Sequence, residues 1–249
     1  MSEQPAQPTP DVAPMGLLSR FVGIVTSPRE TFAKVAAHPK WLGMLVIVVL
    51  VAGGLGTWFQ STEVGRQATF EASVKYMEAF GINLNDRAYD QMQQSMLDTP
   101  VWRTVLQVGL STLVIMPIIY LAIAGILFGV FSAVFGGGAT FKQVFATIVH
   151  TGAISALGQA FTYPIFYLRE SMTSATNLGV LFPMLPEGSF LAKFLGTIDL
   201  FTVWWVMVMA IGLAVVYRRK TRPIAISLFA LYGVIAVAIA AFQAMRSGS

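Results

Sequence analysis

The sequence predicts an all-α fold, a polytopic membrane protein with five transmembrane helices, a cytoplasmic amphipathic N-terminal helix and an extracytoplasmic helical insert. Three observations carry this expectation. Five apolar stretches, at residues 41–59, 104–135, 144–167, 194–217 and 223–242, each reach or exceed the roughly 20 residues that an α-helix needs to cross roughly 30 Å of hydrocarbon. The 249 residues are 55% hydrophobic and only 11% charged, a balance displaced from soluble globular chains toward membrane proteins. Basic residues gather at the ends of the apolar stretches, where Lys and Arg set orientation.

Residues 1–14 carry four prolines and two glutamines with little apolar bulk, so they are expected to form a disordered tail. Leu17, Leu18, Phe21, Ile24 and Val25 then recur near helical spacing. A second short helix is expected from Ser27-Pro28-Arg29-Glu30, read as a capping box in which Ser27 accepts from the N3 amide, Pro28 occupies N1 and Glu30 reaches back to the cap. Phe32, Val35 and Ala36 fall on one face of that helix, and His38-Pro39 stops it. Residues 15–39 are therefore expected to be cytoplasmic interfacial amphipathic helices, lying at headgroup level or packed on the ends of the spans. The first apolar run starts only at Trp41 and follows no short basic n-region, so no cleavable signal peptide is expected.

The five-span membrane domain is expected over 40–245, with a polar insert at 60–103. Phe70, Val74, Met77 and Phe80 mark a first insert helix that Gly81 stops, while Tyr89, Met92 and Met96 mark a second after Asn83, Asn85 and Asp86. Six acidic and four basic side chains make this a water-facing helical hairpin, and Thr99-Pro100 restarts a helix into the membrane. Thr140 and Gln143 form a further capping box at the head of the third span. Kinks are expected at Pro117 and Pro164. Small residues recur four apart at Gly125/Gly129, Gly152/Ala156, Ala210/Ala214 and Ala236/Ala240, a spacing that lets span backbones approach within the chain or between copies of a homo-oligomer.

The cluster Arg218, Arg219, Lys220 and Arg222 fixes the turn between spans four and five in the cytoplasm. Counting back through the spans places the N-terminus and the Lys142 turn inside as well, and the C-terminus outside. Inside then holds nine basic against three acidic residues, whereas outside holds seven basic against eight acidic. The same cluster faces the lipid bilayer and is expected to meet anionic lipid headgroups.

Cysteine is absent, which excludes disulfides, thiolate catalysis and Cys-ligated metal centres. The two histidines cannot be joined into a metal site by spacing, and no GxSxG or HExxH occurs. The turn from Gly136 to Gln143 has glycines but no GKS or GKT ending and follows an apolar span instead of a strand, so it is not a phosphate loop. No enzyme chemistry, cofactor or metal is expected. Nucleic-acid binding is not expected either, because the net charge is only +4 and the basic residues form no extended stripe.

His150 and Asp199 are the two ionisable residues within apolar runs, and intramembrane ionisables are candidate functional residues. His150 lies roughly 12 Å in from the cytoplasmic face and Asp199 roughly 28 Å from it, so the two are not expected to pair. Asp199 reads as an interfacial residue at the outer end of span four. His150, flanked by Thr147, Thr151 and Ser155, reads as a hydrogen-bonded packing residue in preference to a proton relay.

The run Ser27-Pro28-Arg29-Glu30-Thr31-Phe32 ending at His38-Pro39, the FGGGATFKQVFA stretch at 135–146 and the five-span layout together resemble the Yip (Ypt-interacting protein) domain family of five-span membrane proteins. The chain is most similar to the prokaryotic branch, where a polar helical insert after the first span is usual. It departs from the family in span three, where His150 and Ile154 stand in the neighbourhood of a frequent tyrosine and proline. The resemblance implies the fold and an integral location in the bacterial inner membrane. Eukaryotic members engage prenylated Rab-type GTPases, and no residue roles are carried over from them. The expected function is non-enzymatic scaffolding of membrane protein partners or organisation of the membrane through the basic face. The alternative is a transporter or channel component with a path along spans two and three near His150.

Overall fold

A computed structural model describes residues 15–136 and 138–247 and folds most of them into helices. The disordered-tail expectation for residues 1–14 lies outside the described residues. Helices α1 (Leu17–Thr26) and α2 (Pro28–Ala37) form a short hairpin, followed by α3 (Leu42–Ser61), the insert helices α4 (Glu63–Ala79) and α5 (Asp86–Leu97), and α6 (Val101–Phe135). Helix α7 (Phe141–Arg169) leads through a 3-10 turn at Leu178–Leu181 to α8 (Phe190–Thr197), α9 (Leu200–Val216) and α10 (Thr221–Ser247).

Four helices, α3, α6, α7 and α10, are long and apolar enough to cross a membrane. The expected fourth span at 194–217 is not continuous. It breaks at Ile198 and Asp199 into α8 and a 17-residue α9, about 25 Å long, at the lower limit of bilayer-spanning length. Hydropathy averaged across this break, because both sides are apolar. A carboxylate at a helix start and a bridge between Asn177 and Asp199 nonetheless force a corner there.

Helix α7 is the axis on which the others pack. It touches α1, α2, α3, α4, α6 and α9, and its residues from Val144 through Ile154 are all buried. The ends flanked by Arg and Lys meet at one end of the bundle, here the basic end, where Gln143 Nε2 donates to the Ala36 carbonyl (2.9 Å) and Tyr217 shares a hydrogen bond with Ser132 (3.1 Å). The insert gathers at the far end, where Thr69 Oγ1 reaches Met172 and Phe80 stacks near Phe242. Helix α9 runs between these two ends beside α7, despite its short length.

The local start and stop signals divide into kept and lost. Thr140 and Gln143 form the expected capping box, and Asn85 caps α5 through Ala88 N (2.9 Å). Gly81 sits at φ +75° after α4, with Ile82 N donating to Met77 O and Gly81 N to Glu78 O, the paired bonds of a Schellman motif. The Ser27 box does not form. Ser27 makes no side-chain cap bond. Instead its carbonyl accepts from both Thr31 N (3.1 Å) and Thr31 Oγ1 (3.0 Å), so Thr31, itself buried, secures the first turn that Pro28 opens.

Helix α2 buries Thr31, Phe32 and Val35 against α7 and α9, which places its apolar face on the bundle. Gly212 of α9 permits this. A Cβ there would stand 2.5 Å from Thr147 Cγ2 and 3.0 Å from Phe32 Cζ. Three of the four small-residue pairs pack inside the molecule, whereas Gly125 and Gly129 lie on the exposed side of α6 with nothing within 4 Å. Pro117 and Pro164 both stand inside helices, in α6 and α7.

The α3–α4 corner is the tightest backbone approach. A Cβ at Gly65 would overlap the Phe59 carbonyl, which already accepts from Thr62 N (3.0 Å) and Thr62 Oγ1 (2.7 Å). Gly65→Ala is expected to destabilise the fold by about 1–3 kcal/mol through overpacking, whereas Gly125→Ala leaves it unchanged or slightly more stable. Thermal unfolding of the two variants in detergent separates them, and equal melting temperatures would refute the close packing of this corner.

Candidate functional site

The basic end carries two polar features with different degrees of burial. The exposed one is a groove of about 760 Å³ between α2 and the α9–α10 turn. Ala33, Ala214 and Val215 supply an apolar floor, and Arg29, Arg218, Arg219, Lys220 and Arg222 supply the walls. All five cations are exposed and none makes an ion pair among the described residues. Glu30 is the one acidic residue at this end among the described residues.

The turn that presents these cations is held from below. Arg218 follows α9 with φ +53°, in the left-handed region, and Arg219 N donates to Ala214 O (2.9 Å), which closes the last turn of α9. The Arg219 guanidinium donates to the Phe135 carbonyl (3.0 Å) and lies over the Phe135 ring, anchoring the turn to the end of α6. Helix α10 begins at Thr221, a groove residue, so its N-terminal dipole adds to the positive potential.

The buried feature is His150. Its ring is fully enclosed, Nδ1 lies 2.7 Å from the Ala146 carbonyl, and Nε2 lies 3.5 Å from Arg20 Nη1. A carbonyl can only accept, so Nδ1 carries the hydrogen and Nε2 presents its lone pair to the guanidinium. Arg20 also donates to the Lys40 carbonyl (2.8 Å), and its Nε is buried without a partner. Sequence reading missed Arg20. The signal was present, since Arg20 takes a stripe position on α1 alongside Leu17, Phe21 and Ile24 and so points toward the bundle.

Asp199 stands in the other half of the molecule, and the two candidate ionisable residues are not brought together. Asp199 caps α9: Oδ1 accepts from Phe201 N (2.9 Å) and Thr202 N (3.2 Å), while Oδ2 accepts from Ser174 Oγ (3.2 Å) and from Thr176 Oγ1. The carboxylate therefore ties the loop after α7 to the start of α9. The groove residues Arg218, Arg219, Lys220 and Arg222 stand together on one turn, and α2 adds Arg29 to them from a distant part of the chain.

Long apolar helices packed on a central helix, with cations at one end, define an all-helical polytopic membrane protein. Residues 22–242 match the Yip1 domain, and the chain belongs to the Yip1 domain family. It is similar to the membrane protein YknW of Bacillus subtilis (strain 168), with 23% identity over 223 residues that cover 86% of each chain. No solved structure matches the chain.

Asp199→Ala removes four accepted hydrogen bonds at the head of α9 and is expected to destabilise the protein by about 1–2 kcal/mol, the upper part of the range for a lost cap. Asp199→Asn keeps a carbonyl oxygen for the two amides and is expected to retain most of that stability. Melting curves of both variants check this, and an Asn variant as unstable as the Ala variant would contradict a capping role.

Proposed function

We propose that this protein is a non-enzymatic, five-span integral membrane protein that scaffolds membrane partners or organises the membrane, with its basic end in the cytoplasm. In this reading α9 counts as span four, which brings the total to five with α3, α6, α7 and α10, and the α1–α2 hairpin, over 15–39, sits at the cytoplasmic interface. The observation that carries it is the groove at Arg29 and Arg218–Arg222, where five uncompensated cations surround an apolar floor. That combination suits an anionic phospholipid, whose phosphate meets the cations while its glycerol and upper acyl carbons meet Ala33, Ala214 and Val215. Gly125 and Gly129, exposed on α6, support close approach by a span of a partner or of a second copy.

Lipid content tests the groove. Protein reconstituted in nanodiscs of mixed phosphatidylcholine and phosphatidylglycerol is expected to retain phosphatidylglycerol preferentially in native mass spectrometry. Neutralising Arg218, Lys220 and Arg222 to Gln removes three charges worth roughly 1 kcal/mol each near a membrane surface and is expected to cut that preference by about tenfold or more. An unaltered lipid ratio would refute the assignment. Orientation is checked separately with single cysteines at positions 91 and 219, since the native chain has none. An impermeant thiol reagent is expected to label 91 and spare 219 in intact cells, and the reverse pattern would overturn the topology.

A transport reading draws on one observation, the polar row Thr147, His150, Thr151, Ser155 and Gln159 along α7. Its inner part opposes that reading. Thr147, His150 and Thr151 have no exposure, and each is bonded to the carbonyl four residues earlier. Liposomes containing the protein are therefore expected to show no pH-driven ion or proton flux above empty vesicles, and flux abolished by His150→Gln with folding intact would promote the transport reading.

A further inference from the structure

The outer part of that polar row behaves differently from the inner part. Between α7 and α9 at the far end lies a cavity of about 290 Å³, whose walls include Ser155, Gln159 and Thr162 of α7 and Thr202 and Trp205 of α9. Thr147 and Thr151 spend their hydroxyl hydrogens on backbone carbonyls of their own helix. Ser155, Thr162 and Thr202 do not, the Gln159 carboxamide has no partner among the described residues, and Trp205 Nε1 is buried with none. Four hydrogen-bonding side chains on two facing helices thus line one space with capacity unused, while the Trp205 Nε1 atom is itself enclosed.

That capacity is expensive to leave empty. Ser155 lies about 21 Å along α7 from Phe141 and Thr162 about 32 Å, so the cavity reaches from the far end to mid-helix, a depth where unpaired polar groups are strongly disfavoured. The rim is fixed: Asp199 holds Ser174 and Thr176, and Leu200 N donates to Thr176 O (3.0 Å).

The lining selects the chemistry of the occupant. Among the described residues no Lys or Arg lines the cavity, so an anion would go uncompensated. Asp199 is its only charged wall residue among the described residues, and each of its oxygens already accepts two hydrogen bonds within the protein, which leaves no ready position for a cation. What remains is a set of neutral donors and acceptors beside the aromatic rings of Phe166, Phe201 and Trp205. A volume just below the roughly 300–1,000 Å³ of small-molecule pockets limits the occupant to about one ring. We propose that the α7–α9 cavity binds an uncharged, hydroxyl-rich group of about the size of one hexose, with its hydroxyls on Ser155, Gln159, Thr162 and Thr202 and its C–H face on the aromatic side chains. The same chemistry arrives either as a free sugar from the aqueous side or as the headgroup of a glycolipid from the bilayer.

The test uses the full chain in phosphatidylcholine nanodiscs prepared without sugar-based detergent. Methyl glucoside in solution is followed by saturation-transfer difference NMR, and glucosyl diacylglycerol incorporated in the disc by native mass spectrometry. At least one of these neutral probes is expected to bind saturably. Binding of the free glucoside assigns an aqueous source, and binding of the lipid-borne sugar alone assigns a bilayer source. Gln159→Leu and Thr202→Val each remove hydrogen-bonding capacity at nearly constant volume and are expected to weaken binding by about tenfold with unchanged melting. Glucuronate and glucosamine are expected to bind wild-type protein at least about tenfold more weakly than the neutral probe, a comparison that needs no variant. Failure of both neutral probes to bind saturably, equal binding of the charged sugars, or affinity untouched in both variants would overturn the proposal.

Discussion

The fold depends on one constraint: from Val144 through Ile154 α7 meets neither lipid nor water, so every polar group it carries there must be satisfied from within. Thr147, His150 and Thr151 meet that condition locally by bonding to carbonyls one turn back. His150 has a second nitrogen, and α1 completes it with Arg20. This obliges the α1–α2 hairpin to dock on the bundle, since removing it would leave an imidazole nitrogen and the surrounding apolar surface uncovered. Gly212 and Phe32 make the docking sterically feasible.

The two ends of the molecule resolve their polar groups in opposite ways. At the basic end, contacts between distant segments engage several internal donors: Gln143 serves Ala36, Tyr217 shares with Ser132, and Arg219 serves Phe135. What is left over there is net positive charge directed outward. At the far end the Asp199 carboxylate joins α9 to the preceding loop, and the cavity between α7 and α9 is lined mainly by neutral polar and aromatic side chains. One end is therefore suited to a charged surface and the other to an uncharged polar occupant.

Features decided within one turn of chain were legible in the sequence. The Thr140–Gln143 box, the Asn85 cap and the Gly81 stop follow from residues three or four apart, and long apolar runs exposed the four long helices. The Ser27 box had the same spacing but does not form: the Ser27 amide that Glu30 would have to reach already donates to Gly23 O (2.9 Å) at the end of α1. The corner at Asp199 escaped hydropathy because its cause is a loop more than twenty residues upstream. Arg20 and His150 are 130 residues apart, and no periodicity joins them. Arg29 likewise entered the groove only once α2 had been placed against α9. The polar residues of α7 could be read as a row, but not the difference between its sealed inner part and its uncommitted outer part, since that difference lies in what α9 presents opposite.

The backbone at Arg218 carries a consequence for how this surface could change. The position after α9 takes a left-handed conformation that glycine adopts freely and a side chain adopts at a cost of order 1 kcal/mol. A glycine there would make the helix end sturdier and the groove one charge poorer. Backbone ease and surface charge thus pull this single residue in opposite directions, and variants selected only for thermal robustness would be drawn toward a better-folded protein with a less positive groove.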